Sequence, residues 1–129
     1  MPLRLTLKPR ERVIIGGAVV RNGDARSEFL IENETPVLRE TDILSPKEVR
    51  TACDRIYLAL QLMYVDPQNK ERYEGMFLQL VGEVRQAAPS CSDLLQETVN
   101  LARAGRLYQA LKKAQMLRER ERELMNHVS

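Results

Sequence analysis

The first third of the chain alternates, and the remainder does not. Leu3-Arg4-Leu5-Thr6-Leu7 sets apolar against polar side chains with period two, the pattern of a half-buried strand. Val13-Ile14-Ile15 is a short β-branched run closed by Gly16-Gly17, and Ala18-Val19-Val20 follows directly. A glycine pair supplies the positive φ of a tight hairpin. Asn22-Gly23-Asp24 is a second hairpin signal and leads into Ser27–Ile31 (SEFLI). Asn33-Glu34-Thr35-Pro36 breaks that strand, and Val37-Leu38-Arg39 is a candidate for one more. Short strands joined by short turns describe a meander or a small barrel-like sheet.

The period changes at Ser45. Ser45-Pro46-Lys47-Glu48 offers Ser at N-cap, Pro at N1 and Glu at N3, a capping box with a favourable proline. Val49, Cys53, Ile56, Leu60 and Met63 then recur at three- and four-residue steps, which predicts an amphipathic helix over 46–64. Asp66-Pro67 repeats the start signal. Tyr73, Met76, Phe77, Leu80 and Val84 form the next stripe, for a helix over 67–87 stopped by Pro89. Ser90 or Ser92 caps a third helix containing Leu94, Leu95, Val99 and Leu101-Ala102, with Gly105 at its C-terminal end. A last helix spans 107–126, with Leu107, Ala110, Leu111, Ala114 and Leu117 on one face. Its alternating run Arg118–Glu123 is expected to project past the core. The fold class is therefore α+β: an N-terminal antiparallel small β-sheet or barrel-like module (1–44), continuous with a four-helix C-terminal region (45–129).

Composition narrows the function more than the fold. Hydrophobic residues are 43% of the 129, enough for a packed core, while the lack of Trp leaves that core to Leu, Val, Ile and Met. The stretch Ile56–Val65 is interrupted by Gln61 and far too short to span a bilayer. The N-terminus has no apolar signal segment, so the cytoplasm is the expected compartment. Cys53 and Cys91 show no metal-ligand spacing and His127 is the only histidine, so neither a metal nor a cofactor is expected. Cys53 reads as a small core residue. Cys91 reads as a helix-entry residue, with a dipole-favoured thiolate as the alternative, and no disulfide is expected in a reducing compartment. Gly16, Gly17 and Gly23 match no phosphate-loop pattern, and Glu28, Glu32, Glu34, Glu40 and Asp42 match no calcium-loop spacing. With so few tunable acid–base groups, the chain does not read as an enzyme.

Charge adds a candidate surface. The net charge is only +2, yet residues 1–27 carry six basic against two acidic side chains and residues 103–129 carry seven against three. Basic ends around an acidic centre suggest a polyanion-binding surface or self-association as a homodimer. Arg4, Thr6 and Lys8 share the polar face of the first strand, while Arg10, Arg12, Arg21 and Arg26 fall at or beside turns, where ligand contacts concentrate. These six cations are the candidate phosphate contacts, and Arg39 is a candidate base or backbone contact. Phe29 is the only aromatic of the strand region and reads as core, so a base-stacking platform is absent. The first helix is apolar on more than one side, which makes Tyr57, Met63 and Tyr64 candidate contacts for a protein partner. The charged last helix is a further candidate for helix pairing.

Several blocks, in order along nearly the whole chain, resemble the flagellar biosynthesis repressor FlbT family. They are Met1–Leu7 (MPLRLTL) with Lys8-Pro9, then Gly17-Ala18-Val19-Val20-Arg21-Asn22-Gly23-Asp24. Val37–Leu44 (VLRETDIL), Ile56-Tyr57 with Met63-Tyr64-Val65-Asp66, and Tyr108-Gln109-Ala110-Leu111 complete the set. The turn after Lys8-Pro9 departs from the pattern by carrying Arg10 where the resemblance leads one to expect glycine. The resemblance implies a post-transcriptional regulator that acts on the 5′ untranslated region of flagellin mRNA, lowering its stability or translation, with some members acting positively. It also implies a companion flagellar protein, FlaF, as a partner. The strand-rich start is similar, in topology alone, to the small translational repressors of the CsrA type. Two expectations follow: direct contact of the basic strands with a flagellin mRNA leader, or a protein-binding, chaperone-like role relayed through flagellin, FlaF or a ribonuclease.

Overall fold

The structure, a computed structural model, describes residues 2–128 and the side chains of residues 2–126, so the side chains of His127 and Val128 lie outside the described set. The chain forms two compact units, Met1–Ile43 and Leu44–Ser129.

The first unit holds five strands: β1 (Leu3–Leu7), β2 (Arg12–Ile15), β3 (Ala18–Arg21), β4 (Ser27–Ile31) and β5 (Val37–Arg39). Gly16 and Gly17 take φ values of 57° and 87°, the double positive φ of a two-residue hairpin whose twist matches its strands. Ile15 accordingly pairs with Ala18 and Arg12 with Arg21. The expected meander ends there. β4 does not pair with β3 but crosses to β1, with Leu5 opposite Phe29, while β5 joins β2, with Ile14 opposite Leu38. The result is a two-stranded β1–β4 ribbon and a three-stranded sheet ordered β3-β2-β5, with no closed barrel among the described residues. Leu5, Leu7 and Val13 are buried together, packed by Ile15 and Val37.

Phe29, expected in the core, is 44% exposed. Its strand belongs to a two-stranded ribbon with β1, and Glu28, Phe29 and Leu30 are all exposed, so neither face of β4 is fully covered there.

The second unit is helical: α1 (Ala52–Val65), α2 (Lys70–Ala87), α3 (Ser92–Arg103) and α4 (Leu107–Val128). Each of the first three is preceded by a single 3₁₀ turn beginning at a proline, at Pro46–Glu48, Pro67–Asn69 and Pro89–Cys91. The Ser45 capping box does not form. Its serine makes no side-chain cap, and Val49 returns to extended backbone. The helix starts six residues later, where the Thr51 hydroxyl accepts from the Asp54 N–H and the Asp54 carboxylate accepts from the Thr51 N–H. Asp54 also accepts from Arg118 of α4 at 2.7 Å. A helix running on from Pro46 would bury Asp54 in its middle, without those N–H groups to bind.

α1 packs against both α2 and α4, and α3 packs against α4. Ile56, Leu60, Met63, Phe77, Leu95, Leu111 and Leu117 are fully buried. Gln61 is buried among them with its amide spanning the Leu44 backbone, accepting from its N–H at 2.8 Å and donating to its carbonyl at 3.0 Å. The run beginning at Arg118 does not simply project: Arg118 is held by Asp54, and Glu121 accepts from the Cys53 N–H. Cys53 and Cys91 are both buried and free.

Candidate nucleic-acid interface

The β unit builds its site around a buried asparagine. The Asn22 side-chain amide donates to the carbonyls of Lys8 at 2.8 Å, Ala25 at 2.9 Å and Leu7 at 3.3 Å. Its own oxygen accepts from the Gly23 N–H at 2.9 Å. The Arg10 N–H bonds the Gly23 carbonyl, the Asn22 N–H bonds the Glu11 carbonyl, and the Arg21 guanidinium donates to the Arg10 carbonyl at 2.8 Å. Two turns far apart in sequence, 8–11 and 22–26, are thereby fixed to one another. They bring Lys8, Arg10, Arg21 and Arg26 to one end of the unit.

The turn geometry requires a positive φ at Arg10, which sits at 65°. This is left-handed backbone, which glycine adopts freely and an arginine adopts at a cost. The position where the sequence departs from an expected glycine thus keeps a glycine's conformation.

Pairing then sorts the candidate cations. Arg10 meets Asp24 at 2.8 Å, Arg12 meets Glu40 at 3.2 Å and Arg4 meets Glu28 at 3.7 Å, all on exposed or half-exposed surface. Arg39 is bound more tightly. It donates to both oxygens of the nearly buried Glu11, at 3.1 and 3.2 Å, and to the Thr6 carbonyl at 2.6 Å. Glu11 also accepts from the Lys8 N–H at 2.8 Å. That backbone bond, helped by Arg39 and opposed by burial, holds its carboxyl below the usual glutamate value. Arg39 therefore ties β5 to β1 and to the 8–11 turn. Lys8, Arg21 and Arg26 are exposed and form no ion pair among the described residues, although Lys8 stands close enough to Glu11 to help hold its carboxyl down. Arg4 stands near the opposite end of β1 from this group.

The candidate partner residues of the first helix divide as well. Met63 is fully buried and Tyr57 nearly so, with the Tyr57 ring 5.3 Å from the Arg118 guanidinium. Tyr64 is half-buried, its ring 6.2 Å from that of Tyr108, which in turn lies under Lys112 at 5.0 Å. Of the apolar run Tyr57, Leu58, Leu60, Leu62, Met63 and Tyr64, it is Leu58 and Leu62 that form the second, open side of α1 rather than the three candidate contacts. Leu58 and Leu62 of α1 face Met76 and Leu80 of α2 across an open cleft of about 270 Å³, with Arg55 and Glu83 at its rim. Met76, expected on the buried stripe, is 50% exposed there because the buried face of α2 is Phe77, Val81 and Val84.

Against families of known proteins, residues 3–125 match the family described as flagellar protein FlbT. The chain belongs to the FlbT family. A probable flagellum biosynthesis repressor protein FlbT from Rhodopseudomonas palustris (strain TIE-1) is 40% identical over 126 residues, covering 98% of this chain and 99% of that one. The flagellum biosynthesis repressor protein FlbT of Caulobacter vibrioides (strain ATCC 19089) is 36% identical over 136 residues, covering all of this chain and 93% of its own length. A probable repressor, FlbT 1 of Bradyrhizobium diazoefficiens, is 41% identical over 118 residues, covering 91% of this chain and 80% of the relative. No solved structure matches this FlbT-family chain. Among the described residues there is no group of three or more His, Cys, Asp or Glu placed to hold a metal ion, and no helix long and apolar enough to cross a membrane.

Proposed function

We propose that this FlbT-family protein represses flagellum biosynthesis after transcription, by binding the 5′ untranslated region of flagellin mRNA. Relatives matched over nearly their full length carry the name of flagellum biosynthesis repressors. The observation that carries the RNA half is the Asn22-centred junction, which fixes the backbone beside Lys8, Arg21 and Arg26, three exposed cations outside any ion pair. Three cations on and beside fixed turns suit the phosphates of a single-stranded leader, and a fixed backbone leaves only side chains to be ordered on binding. Sequence choice in such a site comes from Arg and backbone groups, since the only aromatic of the unit, Phe29, stands alone on β4.

The test is a gel-shift titration of the full-length protein with a flagellin leader RNA. The combined variant Lys8→Gln, Arg21→Gln, Arg26→Gln is expected to weaken binding by at least tenfold, whereas Arg4→Gln changes it little. Equal affinity for wild type and the triple variant would remove this surface from the mechanism. No binding at all by wild type would instead favour the protein-mediated route through flagellin, FlaF or a ribonuclease.

A further inference from the structure

We propose that the free edge of β4 pairs with β4 of a second copy of this chain, antiparallel about a twofold axis at Phe29, to make one four-stranded sheet. β4 has β1 on one side and no strand on the other. The Thr6 carbonyl accepts from Arg39, so the backbone of Thr6 turns away from β4. Glu28, which stands opposite Thr6, therefore turns its own N–H and carbonyl away from β1. By the two-residue period Leu30 faces outward with it, and among the described residues no other backbone group takes either N–H. The edge is also undefended. Lys, Pro or a bulge ordinarily blocks such pairing, yet Ser27–Glu32 (SEFLIE) holds neither residue, and its register with β1 runs unbroken from Ser27 to Ile31. A ribbon of two strands is marginal by itself, so a second ribbon supplies what this one lacks.

What selects a second copy, and its register, is the charge along the strand. A twofold contact sets each strand against its own reverse. Centred on Glu28, it would put Glu28 against Glu28; centred on Leu30, it would put Glu28 against Glu32. Like charges directly opposite are destabilising. Centred on Phe29, it puts Glu28 against Leu30 and Arg26 against Glu32, twice over. Arg26 and Glu32 are both exposed, and neither has an ion-pair partner among the described residues. The same register sets the two Phe29 side chains directly opposite at a narrow pair, where side chains stand closest, and so covers a ring that is 44% exposed in one copy. Arg26 is also one of the three cations proposed for the leader. In the dimer Glu32 matches it, so a phosphate reaches it only by displacing Glu32, and the test is made without RNA.

The experiment is sedimentation equilibrium of the full chain over a concentration series, on wild type, Arg26→Glu, Glu32→Arg, the double reversal and Leu30→Pro. A contact between two short strands is small, so wild type is expected to form a weak dimer that grows with concentration. Each single reversal is expected to weaken it by about tenfold, because like charges then meet twice across the axis. The double variant R26E/E32R is expected to recover wild-type association, since the pairs re-form with exchanged signs. Leu30→Pro removes an outward N–H that β1 does not use, a place where an edge strand tolerates proline, and is expected to abolish the dimer. The charge variants alter only exposed side chains, so they decide the matter even if the proline unfolds β4. A wild type that stays monomeric throughout would overturn the proposal. So would a dimer indifferent to the single reversals, one that the double reversal fails to restore, or one that a folded Leu30→Pro variant keeps.

Discussion

At Arg10 a single backbone angle carries a measurable consequence. Its φ of 65° places a β-carbon where left-handed backbone crowds it, at a cost of roughly 1 kcal/mol. The exposed pair with Asp24 returns only a few tenths of that, because solvent screens it and two long side chains must be held still. Arg10→Gly is therefore expected to stabilise the protein by about 0.5–1 kcal/mol in urea denaturation. Loss of stability in that variant would mean that the Asp24 contact outweighs the strain. Asn22 has the opposite character. Asn22→Ala strips the donor from three backbone carbonyls and is expected to cost about 2 kcal/mol, while loosening the turns that present Lys8 and Arg26. Cys53 shows the same dependence on surroundings in chemical form. Burial first, then the neighbouring Glu121 carboxylate, pushes its thiol up to about 12. It should react with thiol reagents at neutral pH only once the chain unfolds, which a time course with and without denaturant will show.

At the scale of elements, local patterns placed the strands and helices well but chose the wrong helix start. Ser45-Pro46-Lys47-Glu48 and Thr51-Ala52-Cys53-Asp54 are both adequate boxes in sequence. Only the second gains Arg118, which is 64 residues away and has no local signal. Strand pairing failed for a similar reason: Asn22-Gly23 reads as a hairpin turn, yet the asparagine spends its side chain on the distant Lys8 turn, and β4 leaves for β1. The apolar excess of α1 was legible, but the side that stays open depends on how α2 and α4 are placed. The capping cluster also makes a pH prediction. Burial raises the Asp54 carboxyl, but the Arg118 bond and the N–H groups of Arg50 and Thr51 outweigh it, so it titrates below its ordinary 3.8. A depressed carboxyl contributes stability that is complete above the ordinary value and lost as pH falls through the folded-state value. Asp54→Asn is thus expected to cost about 2–3 kcal/mol at neutral pH, since it leaves the Arg118 charge largely buried and unpaired. It should also flatten the fall in stability below pH 3.8. A parallel, equally steep acid profile in wild type and variant would sink this assignment.

Across the whole molecule, the apparent basic character of the N-terminus dissolves on folding. Residues 1–27 look basic because their acidic counterparts come later in the chain. The compact unit that contains them holds seven Lys and Arg and seven Asp and Glu, so it carries no net charge. Glu28 and Glu40 sit against Arg4 and Arg12, and the earlier Glu11 holds Arg39. A cation already matched by a carboxylate adds little to phosphate binding unless that carboxylate is displaced. The salt dependence of the proposed leader binding would separate the two maps. Each phosphate neutralised on a single strand contributes about 0.7 to the slope of log affinity against log salt. Contacts from Lys8, Arg21 and Arg26 alone give a slope near −2, whereas all seven candidate cations acting together would give about −5. The structure favours the shallow value, because four of the seven are matched within their own unit. A measured slope near −5 would show that the ion pairs open on binding, and would return Arg4, Arg10, Arg12 and Arg39 to the interface.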